Sequence, residues 1–154
     1  MQKITPFLWF NGNIEEVMNF YTSIFKNSKI INVHRVGGAK GKMMTTTFEL
    51  EGQRFMALDG GPYFKPTGAI SFYVQCETQK EVDYFWNKLT ESGDTQAQQC
   101  GWLQDKFGFS WQIIPNALPN LLDDPNPVKA GRVMQAMLQM KKIDIAKLEE
   151  AYRG

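Results

Sequence analysis

CGWLQDKFGFSWQIIP, residues Cys100 to Pro115, decides how the rest of the chain is read. Asp105-Lys106-Phe107-Gly108 is a glycine-containing turn between Trp102-Leu103-Gln104 and Phe109 to Ile114. The stretch therefore predicts a β-hairpin that closes on an alternating strand. Trp111 and Ile113 face one way, and Ser110, Gln112 and Ile114 the other.

Working outward, the hairpin ends a unit that begins with a strand over Ala69 to Gln75. Thr78 and Glu81 form a T-x-x-E capping box, and Val82, Phe85, Trp86 and Leu89 follow at helical spacing. Gly93 stands where a helix end takes a left-handed residue, and three strands are expected at Thr95–Gln99, Gly101–Gln104 and Phe109–Ile114. The first half carries the same plan. A strand over Lys3–Phe10 precedes a helix with Asn13 as cap, Glu16 three residues on, and a stripe of Ile14, Val17, Met18, Tyr21 and Ile24. Strands over Lys29–Val36, Met44–Leu50 and Arg54–Leu58 complete it.

Cap and stripe repeat at an offset of 65 residues, pairing Asn13 with Thr78, Glu16 with Glu81 and Tyr21 with Trp86. The closing strands repeat at 56, pairing Gly52 with Gly108 and Met56 with Gln112. Agreement of cap, stripe and closing strand in the same order indicates a duplicated β-α-β-β-β unit. After Pro115 the pattern turns helical. Asn126 caps with Pro127 at the first helical position, followed by Ala130, Val133, Met134, Met137 and Leu138. Asp144 caps a last helix, with Ile143 and Leu148 placed as a hydrophobic staple, so an ordered tail is expected. Its methionine stripe suits core or dimer contact.

The 154 residues suit one domain, with paired units over 1–117 and a helical extension over 118–154. A formal net charge of +1 without a run of like charges excludes an electrostatic nucleic-acid or membrane footprint. Pro6 to Phe10 is too short an apolar run for a signal core or a span, so a cytoplasmic protein is expected. Cys76 and Cys100 are too few for a disulfide framework, and His34 has no second histidine to join it in a metal site.

Paired β-α-β-β-β units resemble the glyoxalase, bleomycin-resistance and extradiol-dioxygenase (vicinal oxygen chelate) superfamily. The blocks ITPFLWFNGNIEEVMNFYTSIF, ISFYVQCETQKEVDYFW, CGWLQDKFGFSWQIIP and VMQAMLQMKKIDIAKLE resemble its PhnB-like, 3-demethylubiquinone methyltransferase-like branch. The resemblance implies an α+β fold, an eight-stranded mixed sheet curled around a cavity, C-terminal helices, and a homodimer in which some relatives pair units across subunits.

In metal-dependent members the ligands come from the first and last strands of each unit. Those positions correspond here to Pro6, Met56, Ser71 (Ala69 is the alternative) and Gln112. Proline has no ligating side chain, a thioether suits a hard cation poorly, and neutral Ser and Gln oxygens bind weakly without a carboxylate. No tight divalent metal and no other cofactor is expected. If these four positions face the cavity, period-two alternation adds Leu8, Phe10, Arg54, Leu58, Tyr73, Ser110 and Ile114 to the same face. Phe7, Trp9, Phe55, Phe72, Val74, Trp111 and Ile113 then pack under the helices. An open pocket and a core filled by side chains are both compatible with this pattern.

Asp59 and Asp105 lie beside glycine turns, where Asp bonds the local backbone. Gly37 to Lys42 is a hairpin turn, one residue short of a phosphate-binding loop. Gly60-Gly61 lacks the strand-to-helix setting of a dinucleotide or methyl-donor site. The expected function is binding of a small apolar or aromatic molecule without a tight metal. Two alternatives stand beside it. One is an enzyme of quinone or dicarbonyl chemistry, a methyltransferase or a glyoxalase-like lyase; the other is a regulatory partner protein that acts through its tail.

Overall fold

The computed structural model describes residues 3–154, which divide into two compact units, 3–66 and 67–154. The first holds β1 (Phe7–Phe10), α1 (Ile14–Ile24), β2 (Ser28–Val36), β3 (Lys42–Leu50) and β4 (Gln53–Asp59). Its sheet has the order β1-β4-β3-β2, with β1 parallel to β4 and the other neighbours antiparallel. The apolar stripe of α1 is buried, as its spacing predicts: Ile14, Val17, Met18, Tyr21 and Ile24 are all closed to solvent. So are Leu8, Phe10, Phe48, Leu50, Phe55 and Ala57 on one face of the sheet.

The second unit holds β5 (Ser71–Cys76), α2 (Gln79–Leu89), β6 (Trp102–Gln104) and β7 (Ser110–Pro115), then α3 (Ala117–Leu122), α4 (Pro127–Leu138) and α5 (Ile145–Arg153). Its sheet order is β5-β7-β6, with β5 parallel and β6 antiparallel to β7. The hairpin forms as read. Gly108 N–H donates to the Asp105 carbonyl at 2.9 Å, and Gly108 takes φ 91°, a conformation that costs glycine nothing. Thr78 accepts from Glu81 N–H, Asn126 from Val128 and Lys129 N–H, and Asp144 from Lys147 N–H, so three helix starts follow their sequence signals. Ile143 and Leu148 are fully buried with Val133, Leu118 and Ile114.

Four expectations are corrected. The fold is α+β, but hydrogen bonding groups its strands into a four-stranded and a three-stranded mixed sheet rather than one eight-stranded sheet. The expected strand at Thr95–Gln99 is a 3-10 turn over Thr95–Ala97, capped by Asp94, followed by a single bridge from Gln99 to Trp102. The Asp94 side chain offers Gln96 N–H a local bond, and the glutamine-rich segment has no apolar alternation to bury. Asn13 precedes α1 but lies at φ 60° with no side-chain capping bond; the preceding Gly12 N–H donates instead to Asp59 Oδ1 at 2.7 Å. At the end of α2 the left-handed residue is Ser92, while Gly93 allows close packing: a Cβ there would lie 2.3 Å from the Gln104 carbonyl oxygen.

Candidate functional site

In each unit one sheet face packs under the first helix, and strand register decides which residues stand on the other. In the first unit, Phe7 lies opposite Met56 and Trp9 opposite Leu58; β3 continues these rows with Thr47 and Thr45, and pairs Glu49 with Arg54. Paired residues of neighbouring strands share a face. The face away from α1 thus carries Phe7, Trp9, Arg54, Met56 and Leu58. Phe7 is 50% exposed and Met56 36%.

Two of the expected residues stand elsewhere. Leu8 and Phe10 are buried beside Ala57 and Asp59 on the helix-covered face. Pro6 lies just before β1 and has no register partner, while its carbonyl accepts the Met56 N–H. Phe7 and Trp9, expected under the helix, take the uncovered face. The cause is one residue of chain. Three residues separate β1 from α1, two of them left-handed (Gly12 at φ 79°, Asn13 at φ 60°), whereas two separate β5 from α2 and Thr78 is extended. Counting back from the helix cap therefore misplaces β1 by one, and a one-residue slip turns every side chain over. Asn11-Gly12-Asn13, three turn-forming residues in a row, is the signal that marked the longer junction.

In the second unit Ser71 lies opposite Ser110, Tyr73 opposite Gln112 and Gln75 opposite Ile114, and β6 adds Trp102 beside Gln112. Ser71, Tyr73, Ser110 and Gln112 share the face away from α2, as their alternation predicts. Gln112 Nε2 donates to Ser71 Oγ at 2.9 Å, and Tyr73 is 54% exposed. Ser110 is buried, and so is Ile114, which lies in the cluster of Leu118, Val133, Ile143 and Leu148. The tail helices thus withdraw Ile114 from a ligand-facing role. Nothing in the β7 pattern reveals this, because the covering residues lie beyond position 115.

The positions that correspond to metal ligands do not fit a hard divalent cation. Phe7, not Pro6, faces Met56, and that pair offers one thioether; in the second unit Tyr73, Ser71 and Gln112 offer neutral oxygens, one already a partner of Gln112. Among the described residues no group of three or more His, Cys, Asp or Glu side chains is placed to hold a metal ion. His34, exposed on β2, stands opposite Thr45 on the uncovered face.

The two candidate acids are structural. Asp59 is buried, accepts from Gly12 N–H and pairs with Lys42 Nζ at 2.6 Å. The Lys42 ammonium holds its carboxyl below the usual range, against the opposing effect of burial. Asp105 is buried and accepts from Phe107 N–H, Phe109 N–H and the Trp111 indole. Burial pushes the Cys76 thiol up to about 12, which leaves it an inert core group. Gly60-Gly61 serves Trp9: the Gly61 carbonyl accepts the Trp9 indole N–H at 2.8 Å, and a Cβ on Gly60 would lie 2.2 Å from the Trp9 ring. No described helix is long and apolar enough to cross a membrane.

The profile of the family described as 3-demethylubiquinone-9 3-methyltransferase matches residues 2–114. A PhnB protein of Bacillus cereus carrying the same family description is 41% identical, covering 74% of this chain and 99% of that one, with a TM-score of 0.66. A Pseudomonas aeruginosa protein at 22% identity (75% and 98% covered, TM-score 0.60) shares the fold. So does the fosfomycin resistance protein FosX of Listeria monocytogenes, at 14% identity (73% and 94%, TM-score 0.52). No curated protein sequence matches. The chain belongs to the 3-demethylubiquinone-9 3-methyltransferase-like, or PhnB, family of the vicinal oxygen chelate superfamily.

Proposed function

We propose that the protein binds a small apolar or aromatic molecule on the sheet faces its helices leave uncovered, without a tight divalent metal. The observation that carries this reading is the Gln112 to Ser71 hydrogen bond beside the half-exposed Tyr73. An amide fixed by a neighbour is a preorganised polar contact, and recognition sites pair a few such groups with apolar surface. Met56 and Leu58 supply apolar surface of the same kind on the first sheet. The protein acts as a cytoplasmic homodimer, with residues 1–117 as the binding domain and 118–154 as its helical extension. The exposed Ile30, Ile31, Val33 and Val36 on the edge strand β2 support self-association.

A thermal-shift screen of apolar metabolites and aromatic antibiotics tests the binding reading. Hits should stabilise the wild type and lose at least half of their shift in the exposed-face variant Gln112→Leu. No stabilisation by any compound would sink it. The family description favours a second reading, methyl transfer to a demethylated quinone. Calorimetry with S-adenosylmethionine decides between them, since a methyltransferase must bind its methyl donor.

A further inference from the structure

The uncovered face of the first sheet carries a fixed aromatic wall and a free cation at a defined spacing. Trp9 is held in place from three directions: its indole N–H is tied to the Gly61 carbonyl, the Gly60 backbone lies against its six-membered ring, and Phe64 stands edge-on to it, ring centres 4.9 Å apart at 88°. Phe7 and Met56 sit one pair further along the same face, both accessible. Two residues along β4 from Met56, the row Lys29, Glu49, Arg54 crosses the sheet. Glu49 Oε1 is engaged by Lys29 Nζ at 3.2 Å, and among the described residues no carboxylate pairs with Arg54. The row therefore carries one net positive charge, and Arg54 is its cation without a carboxylate in ion-pair contact.

A strand rise of about 3.3 Å per residue sets the Cα atoms of Arg54 and Met56 about 7 Å apart. An aromatic ring over Phe7 and Met56 places a substituent one or two bonds longer within reach of the guanidinium. We infer that this face takes a flat aromatic ligand bearing a single carboxylate, with the ring against Phe7, Met56 and the Trp9 edge and the carboxylate on Arg54. The inference rests on the binding reading above and names its ligand class. Guanidinium suits this task because its planar fork matches two carboxylate oxygens at once. Trp9 suits its own because a ring already held by its neighbours loses little freedom when a ligand packs against its edge.

Phenylacetate and its neutral isostere phenylacetamide separate the charge from the ring. Both are titrated into isotope-labelled full-length protein and followed by amide chemical shifts. Phenylacetate should bind about tenfold tighter, the factor supplied by one charge-assisted hydrogen bond, and shift the resonances of Phe7, Arg54 and Met56. In Arg54→Leu the two probes should bind alike. Equal binding of both probes to wild type, or a preference that survives Arg54→Leu, would overturn the inference while leaving the binding reading in place. If neither probe binds wild type and the wider compound screen is also empty, both fail together.

Discussion

Trp111 donates its indole N–H to the buried carboxylate of Asp105 at 2.8 Å. The same carboxylate accepts from the N–H groups of Phe107 and Phe109, so one side chain shapes the turn and anchors the largest aromatic of the closing strand. Asp105→Ala leaves three donors without this acceptor and should cost about 3 kcal/mol or more. Asp105→Asn keeps one acceptor oxygen and should cost less. Urea unfolding at neutral pH checks both, and a loss under about 1 kcal/mol for the alanine variant would show that water replaces the carboxylate.

Asp59 links acidity to the stability of the first unit. Lys42 holds its carboxyl below the ordinary carboxylate value, so near that value the unfolded chain binds the proton that the folded chain refuses. The stabilisation is fully present above the unfolded value, about pH 4, and is lost as pH falls through the lower folded one. Asp59→Asn removes the ion pair with Lys42. The gap in Tm between wild type and variant should be constant from neutral pH to about pH 5 and narrow below about pH 4. A gap that persists undiminished at pH 2.5 would assign the effect to lost packing.

What sequence made legible, and what it hid, follows from how local each signal is. Thr78, Asn126 and Asp144 bond amides two or three residues away, and the alternation of Ser110, Gln112 and Trp111 is a property of one strand; these could be read directly. The placement of Leu8 and Phe10 depended on the number of residues between β1 and α1. Counting from the helix inherits any error in that junction, and the left-handed Gly12 and Asn13 supplied one. Ile114 looked like a ligand-facing residue because its face is set by β7, while its cover comes from Val133 and Leu148 far along the chain. Arg54 was visible as a polar group, but that Lys29 engages Glu49 across the sheet, and that no carboxylate among the described residues pairs with Arg54, follows only from the structure.

The two thiols should differ in reactivity. Cys76 is fully buried, with its thiol pushed up to about 12 by burial, whereas Cys100 is partly accessible at a left-handed turn. At pH 8 a thiol-disulfide reagent should modify Cys100 rapidly and Cys76 only on the timescale of unfolding. Denaturant should make both react at once. Equal rates in the native protein would mean that the core around Cys76 opens locally.

Leu148→Ala tests whether the tail belongs to the core of the second unit. Leu148 is fully buried with Val133, Ile143 and Leu118 against Ile114, the residue two positions after Gln112 on β7. Removing its side chain should cost roughly 2–5 kcal/mol, with the spread set by how far the helices close the cavity. Met134 on α4 is 40% exposed, and Met134→Ala should cost well under about 1 kcal/mol. The informative measurement follows two signals during urea unfolding: near-ultraviolet dichroism, to which Trp86, Trp102 and Trp111 of the second unit contribute beside Trp9, and helical dichroism at 222 nm. If Ile114 joins tail and sheet into one cooperative unit, both transitions should shift together in Leu148→Ala. A helical signal lost first, with the tryptophan signal unmoved, would make the tail a separate layer and leave Ile114 free to be uncovered.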